Sequence, residues 1–201
     1  VRVPKQVKHE LPEVTGWDEI RVVLYSVMKD MYKKAPNLNE VAVKGKALEW
    51  VKQWVGKEIP AREIITWGLV DVRGLTRGKG LVGPVKRFGI SLKSHKSEKG
   101  VRRPGSLAPW HPARVTFRVA MAGQLGMFSR VSYNLPVLTK GDSKEHLKNK
   151  GFKHYGSLSN DYIVLAGSVQ GPPKRELLLT PAMRPTKKQA KKKYEFVELI
   201  V

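Results

Sequence analysis

The residues with the clearest potential for chemistry lie between Gly74 and Gly89, where the chain reads GLTRGKGLVGPVKRFG. This stretch is rich in glycine and follows a strand-like run directly. The cations interleaved with its glycines are Arg77, Lys79, Lys86 and Arg87. A glycine-rich loop that carries a lysine after a strand is typical of proteins that hold phosphates. The pattern predicts a phosphate-binding segment and leaves open which molecule supplies the phosphates.

An RNA- or nucleotide-dependent enzyme is one interpretation of this segment, but the spacing disfavours it. The P-loop pattern needs a longer gap than the one from Gly74 to Gly78, and Gly80 stands where its magnesium-binding hydroxyl belongs. We expect Pro84 to block the helix whose N-terminus would face a nucleotide. The dinucleotide pattern over residues 78–83 lacks that helix as well, and no acid follows it at a strand end.

Neither catalysis nor metal binding has positive support in the sequence. The five histidines lack paired metal-ligand spacing, and the chain has no cysteine for thiolate chemistry or Cys-ligated zinc. Asp18 and Glu19 fit a solvated turn better than a carboxylate pair that would act as acid and base. The sequence therefore predicts a protein that is not an enzyme, with no catalytic residue, no metal, no cofactor and no small-molecule substrate.

The distribution of charge gives the strongest indication of a partner. The 201 residues include 38 Lys and Arg against 17 Asp and Glu, a net charge of +21. Residues 73–130, here called the basic segment, hold 13 of these cations and one acid, Glu98. So large an excess favours a polyanionic partner. No run is long enough to span a membrane, and nucleic acid is the predicted partner.

The middle of the basic segment lacks the periodicity of a helix or strand. Gly, Pro, Ser, Lys and Arg dominate it from Gly74 to about Trp110, but large residues recur among them, which suggests ordering on a partner. Trp110 is flanked by prolines and either stacks on a base or ribose or lies buried in the core. Composition alone does not separate RNA from DNA, and a non-ribosomal architectural nucleic-acid-binding protein remains an alternative.

The pattern of short apolar runs and turns predicts a mainly β fold with one small helical element. We expect residues 1–62 to form a mixed α/β segment with a short helix near 44–56, and residues 63–201 to form a β-barrel core that carries the basic segment. The predicted strands are Ile20–Tyr25, Ile64–Leu75, Val115–Ala120, Tyr133–Leu138, Tyr162–Val169 and Glu176–Thr180.

Four stretches, in order along the chain, resemble the ribosomal large-subunit protein L-three family. They are GLTRGKGLVGPVKRFG at 74–89, PGSLAPWHPARV at 104–115, AGQLG at 122–126 and GSVQGPPKRELLLTPAMRP at 167–185. The PWHP form is similar to the archaeal and eukaryotic branch. Since members of that family are longer, the resemblance implies that this chain is N-terminally incomplete.

The resemblance implies a translation-protein-type β-barrel and a role as a structural constituent of the large ribosomal subunit in the cytoplasm. Such a protein binds large-subunit rRNA, supports early assembly, and extends a loop towards the peptidyl transferase centre. Trp110 matches the tip of that loop, and Gly123-Gln124 matches an rRNA-facing turn. Neighbouring large-subunit proteins are the other implied partners, and no membrane is involved. The predicted rRNA-binding residues are Arg77, Lys79, Lys86, Arg87, Arg102, Arg103, Trp110, His111, Arg114, Arg118, Gln124 and Arg130.

Overall fold

The computed structural model describes residues 16–28, 33–45, 47–142, 151–158, 160–195 and 197. Tertiary contacts divide the chain into two compact units. Unit 1 consists of residues 1–69, 136–166 and 186–201, and unit 2 consists of residues 70–135 and 167–185. The predicted boundary between residues 62 and 63 stays a prediction.

Short strands predominate over helices among the described residues. In chain order the elements are β1 (Ile20–Tyr25), β2 (Leu38–Val43), α1 (Ala47–Trp54), α2 (Ala61–Ile64), β3 (Leu69–Leu75), β4 (Leu81–Val82), α3 (Pro84–Phe88), β5 (Gly123–Gln124), β6 (Ser129–Asp142), β7 (Gly151–Phe152), β8 (Gly156–Ser157), β9 (Asp161–Leu165), β10 (Leu178–Pro181) and α4 (Lys187–Ala190). Within these residues, no helix is both long and apolar enough to cross a bilayer.

Unit 1 begins with an antiparallel pair, β1 and β2, in which Ile20 lies opposite Val43 and Tyr25 opposite Leu38. The β-branched residues of β1 favour an extended chain, and the predicted strand at Ile20–Tyr25 is confirmed. Arg21 forms ion pairs with Glu19 at 3.0 Å and with Glu40 at 3.2 Å. The hydrogen bond from Arg21 lowers the pKa of Glu19 below its usual value.

Helix α1 confirms the small helical element predicted near residues 44–56. Ala47 and Val51 are one helical turn apart and are both buried, as expected for an amphipathic helix. Trp50 and Trp54 are half-buried, which fits a packing role.

The later part of β6 also belongs to unit 1, where it pairs antiparallel with β9. The register shifts between Val137 and Thr139, which marks a β-bulge. The Nζ of Lys140 donates hydrogen bonds to the carbonyl of Arg62 at 2.9 Å and to that of Ile65 at 2.7 Å. Lys140 thereby satisfies carbonyls at the C-terminal end of α2 that the helix itself leaves unpaired.

Unit 2 is built on strand β3, which lies between β10 and the first part of β6. Leu178 of β10 lies opposite Arg73, and Pro181 lies opposite Val70. Proline is compatible with an edge strand because it lacks the N–H that a central strand must donate.

The centre of β3 carries the most deeply buried side chains of unit 2, Val70, Asp71 and Val72, each with 0% exposure. Asp71 is the acid within this apolar strand, and it is as buried as its neighbours. Its Oδ1 accepts a hydrogen bond from the backbone N–H of Asn134 at 2.8 Å, and its Oδ2 accepts one from that of Met183 at 3.1 Å. A buried carboxylate needs such donors, and Asp71 links β3 to β6 and to the segment after β10.

Two predicted strands differ from the structure. Val115–Ala120 forms no strand because its backbone turns at Arg118 with φ +62°, and Phe117 is 90% exposed without a partner strand. The predicted strand at Ile64–Leu75 begins only at Leu69, because Ala61–Ile64 forms the short helix α2 after Pro60.

The remaining strands follow the predictions approximately. Tyr133–Leu138 lies within the longer β6, while β9 and β10 overlap the two predicted C-terminal strands and differ from them at both ends. The mainly β fold class is confirmed. The sheets are open, and no barrel closes within the part of the chain that the structure describes.

Candidate nucleic-acid interface

The glycine-rich stretch of the basic segment pairs through backbone hydrogen bonds with the segment that precedes β6. Strand β4 pairs antiparallel with β5, Leu81 opposite Gln124 and Val82 opposite Gly123. Backbone hydrogen bonds extend this pairing from Lys79 N to Leu125 O at 2.9 Å, and from Thr76 N to Phe128 O at 3.0 Å. Since the N–H of Lys79 is used within the pair, the stretch is not an open cradle of N–H groups like a P-loop.

Gly126 is required where these two segments approach most closely. Its φ is +82°, and a Cβ at this position would lie 2.1 Å from the carbonyl oxygen of Arg77. No side chain fits at that distance, so the glycine sets the spacing between the two backbones.

Pro84 begins helix α3 and does not block it, which corrects the sequence-based expectation. Proline is accepted at the first helical position, where its missing N–H has no intrahelical partner. Gly89, with φ +70°, ends the helix in the left-handed conformation after five residues.

The Arg87 side chain connects α3 to β5 and to Met121 by hydrogen bonds. Its Nε donates to the carbonyl of Gln124 at 3.1 Å, and its Nη1 donates to that of Met121 at 3.1 Å. A Cβ on Gly123 would lie 2.7 Å from the Arg87 Cζ, so the guanidinium lies directly on the glycine backbone. These contacts give Arg87 a structural role, and its predicted contact with rRNA stays a prediction.

The other predicted cations of the basic segment are exposed. They are Arg77, Lys79, Lys86, Arg102, Arg103, Arg114, Arg118 and Arg130. Within the described residues none of them forms an ion pair with a carboxylate, since both recorded ion pairs belong to Arg21. No carboxylate of the described residues therefore neutralises their positive charge, as expected for groups that contact phosphates.

Residues 89–122, here called the central loop, contain no helix or strand. Trp110 is 88% exposed, so it is not a core residue, and its neighbour His111 is also exposed. Arg118 lies over the ring of Phe117, with 5.4 Å between its Cζ and the ring centroid. The central loop thus presents aromatic rings and cations together, the combination that binds unpaired bases and their phosphates.

Gln124 forms hydrogen bonds within its own turn and with Arg87, and it is exposed. Its Nε2 donates to the carbonyl of Gly126 at 3.0 Å, which holds the side chain against its own turn. Its backbone carbonyl oxygen accepts a hydrogen bond from the Nε of Arg87, and the residue as a whole is exposed. The structure therefore brings Arg77, Lys79, Arg87 and Gln124 together on the paired segments 76–88 and 123–128, here called the platform.

A groove on unit 2 contains Arg130, which the sequence predicts as an rRNA-binding residue, and two further arginines, Arg73 and Arg175, which it does not. It has a volume of about 490 Å³ and is here called the arginine groove. It is lined by Arg73, Gly74, Leu75, Ser129, Arg130, Val131, Tyr133, Arg175, Glu176 and Leu178. Alternation along a strand predicts that Arg73 and Leu75 share one face of β3, and that Val131 and Tyr133 share one face of β6. Only the pairing of these strands shows that the two faces lie on the same side of the sheet.

No group of three or more His, Asp or Glu side chains comes together as a metal site in the part of the chain that the structure describes. The geometry present is that of an exposed cationic surface with aromatic rings. Such a surface binds the backbone and the unpaired bases of a nucleic acid.

Comparison with known proteins gives the family. The family model for ribosomal protein L3 matches residues 3–199. The chain is 37% identical to the large ribosomal subunit protein uL3 of Methanococcus aeolicus over 198 residues, which are 92% of this chain and 60% of that protein. It is 39% identical to the uL3 of Methanocaldococcus jannaschii, covering 84% of this chain and 53% of that one.

The uL3 of Methanothermobacter thermautotrophicus is 40% identical over 85% of this chain and 54% of its own length. The chain thus spans little more than half the length of these archaeal relatives. The resemblance drawn from the four sequence stretches is confirmed. The chain belongs to the ribosomal protein L3 family.

Proposed function

We propose that the chain is a structural constituent of the large ribosomal subunit, in the cytoplasm, and that it binds large-subunit rRNA. The observation that carries this proposal is the charge of the basic segment, which contains 13 cations and a single acid. Its predicted contact residues are almost all exposed, without ion pairs among the described residues. A protein of this family that carries such a surface is suited to RNA phosphates.

The two parts of the interface have different tasks. The platform of β4, α3 and β5 is fixed by backbone pairing and by Arg87, and it offers Arg77, Lys79 and Lys86 to phosphates at set positions. The central loop has no such framework and carries exposed Trp110, which we propose contacts RNA near the peptidyl transferase centre. Ordering of this loop on rRNA is consistent with a role in early assembly beside neighbouring large-subunit proteins.

A competition experiment tests the rRNA-binding part of this proposal. The full chain is titrated with a large-subunit rRNA fragment, random RNA of equal length, and duplex DNA of equal length, at physiological salt. We expect preference for the rRNA fragment and a fall of log K with log salt, by about 0.7 to 0.9 for each phosphate neutralised. Equal affinity for rRNA and random RNA would contradict specific rRNA binding, and preference for DNA would favour the architectural alternative.

A further inference from the structure

The arginine groove lies on one face of the sheet of unit 2. Arg73 and Leu75 are two residues apart on β3, and Val131 and Tyr133 are two residues apart on β6. Because side chains alternate along a strand, each pair points to one face of the sheet. Leu178 of β10 lies opposite Arg73 in the register, so the three strands supply one continuous surface.

This surface combines an apolar floor with an aromatic ring. Leu75, Val131 and Leu178 supply the floor, and Tyr133 remains 63% exposed. The volume of about 490 Å³ lies in the range of about 300–1,000 Å³ that is usual for small-molecule-sized ligands. The groove therefore has room for one nucleotide, with an aromatic side chain free to stack on its base.

Three arginines line the same groove against one acid, Glu176. Arg73 donates to the Sδ of Met183 at 3.5 Å, and Arg175 donates to the Sδ of Met127 at 3.6 Å. Thioether sulfur is a weak acceptor, so these guanidinium groups keep most of their capacity for a phosphate.

The Nε of Arg175 is buried and has no hydrogen-bond partner among the described residues. None of the three arginines forms an ion pair within those residues either. Arg130 donates one hydrogen bond, to the neighbouring carbonyl of Ser129, and lies over the ring of Phe128. An anion in the groove would give the Nη2 groups of Arg73 and Arg175 a stronger acceptor than the thioether sulfurs that they contact.

We propose that the arginine groove binds a single unpaired nucleotide of RNA, with its base on Tyr133 and the apolar floor and its phosphate on Arg73 and Arg175. An unpaired base is required because the faces of a base within a duplex are already covered by its stacked neighbours, while a bulged base can offer a face to a side chain. This inference rests on the proposed RNA binding and adds to it a site outside the platform and the central loop.

Two RNA hairpins test the site, one with a single bulged adenosine and one that is identical except for the missing bulge. Each is titrated with the full chain at physiological salt, and binding is followed by fluorescence anisotropy. We expect at least about fivefold tighter binding of the bulged hairpin, the lower end of the effect of stacking one base on an aromatic ring. Equal binding of the two hairpins by the wild-type chain overturns the proposal.

Variants assign the preference to the groove. Tyr133→Ala is expected to remove the preference for the bulge, and Tyr133→Phe to keep it because the ring remains. Tyr25→Ala is the matched control, since Tyr25 is 50% exposed on β1 of unit 1 and outside the groove. If Tyr133→Ala and Tyr133→Phe both keep the full preference, the site is not the groove and the proposal fails.

The charge contribution has its own control. Arg73→Gln is expected to weaken binding of the bulged hairpin more than that of the paired one, while Arg21→Gln, which removes the same charge from unit 1, affects both alike. Failure of this site is distinguishable from failure of the proposed function. Tight binding to large-subunit rRNA without any bulge preference sinks only the groove, whereas absence of rRNA binding sinks the proposed function.

Discussion

Gly126 shows how one residue fixes the geometry of the candidate interface. A Cβ there would lie 2.1 Å from the Arg77 carbonyl oxygen, which is deep inside van der Waals contact. The two backbones of the platform would have to separate, and the hydrogen bonds from Thr76 and Lys79 would lengthen with them. The positions of Arg77 and Lys79 thus depend on the absence of a side chain at Gly126.

Gly126→Ala is expected to destabilise the chain more than Gly80→Ala. Both glycines have positive φ, +82° and +65°, but an added Cβ on Gly80 meets nothing within 4 Å. Gly80→Ala therefore carries only the backbone strain, of about 1–2 kcal/mol, and Gly126→Ala adds a steric cost of about 1–3 kcal/mol. Urea unfolding of the two variants measures the difference, and equal midpoints would show that the close approach is absent.

Asp71 shows what the sequence hides about a single residue. A lone acid in an apolar run predicts a side chain on the solvent side of a strand, because an unpaired buried charge is costly. In the structure, the Asp71 carboxyl instead accepts hydrogen bonds from the backbone N–H groups of Asn134 and Met183. These residues lie 63 and 112 positions after Asp71 in the sequence. Only the tertiary fold reveals donors at that separation, so the burial of Asp71 could not be predicted.

Local elements were predictable where local chemistry decides them. β1 and α1 follow directly from a β-branched run and from an apolar stripe with helical spacing. Val115–Ala120 has equally good strand composition, yet no strand among the described residues pairs with it, and the chain turns at Arg118. A strand depends on its partner, which sequence composition does not provide.

Helix α3 departs from the expectation that Pro84 blocks a helix, because proline disfavours the interior of a helix and not its first position. Pro84 stands at the first helical position, where proline is favourable, and Gly89 closes the helix. A helix of five residues does not hold its place by itself, since isolated short helices are marginal in water. We infer that the hydrogen bonds of Arg87 to Met121 and Gln124 keep α3 in place.

Arg87→Ala and Lys86→Ala separate the structural from the electrostatic contribution of α3. Arg87→Ala removes two hydrogen bonds from a charged group, each worth about 1.5–3 kcal/mol, and should speed hydrogen exchange in residues 83–88 and 123–125. Lys86 is exposed, and Lys86→Ala removes the same charge without those bonds. We expect it to weaken RNA binding and leave exchange unchanged. If hydrogen exchange in these residues is unchanged in Arg87→Ala, the Arg87 hydrogen bonds do not hold α3 in place.

The distribution of charge along the chain can be predicted in full, because it follows directly from the positions of charged residues in the sequence. The concentration of 13 cations with one acid in the basic segment indicated a polyanion before any fold was known. The exposure of Trp110 was left open by the sequence, as a proline-flanked tryptophan suits both a core and a contact site. The structure decides for exposure, and the arginine groove shows that pairing of distant strands creates surfaces that no sequence motif marks.

Membership of the L3 family and the uncompensated cations of unit 2 lead to one central claim, that this chain is incorporated into the large ribosomal subunit. Co-sedimentation tests it most directly. The full chain, carrying a tag, is present while archaeal large subunits are assembled, and the particles are then run through a high-salt gradient that removes loosely bound proteins. A variant with Arg77, Lys79 and Lys86 changed to Ala serves as the control. We expect the wild-type chain to travel with the large subunit and the variant to be lost from it; a wild-type chain that stays at the top of the gradient would contradict the claim.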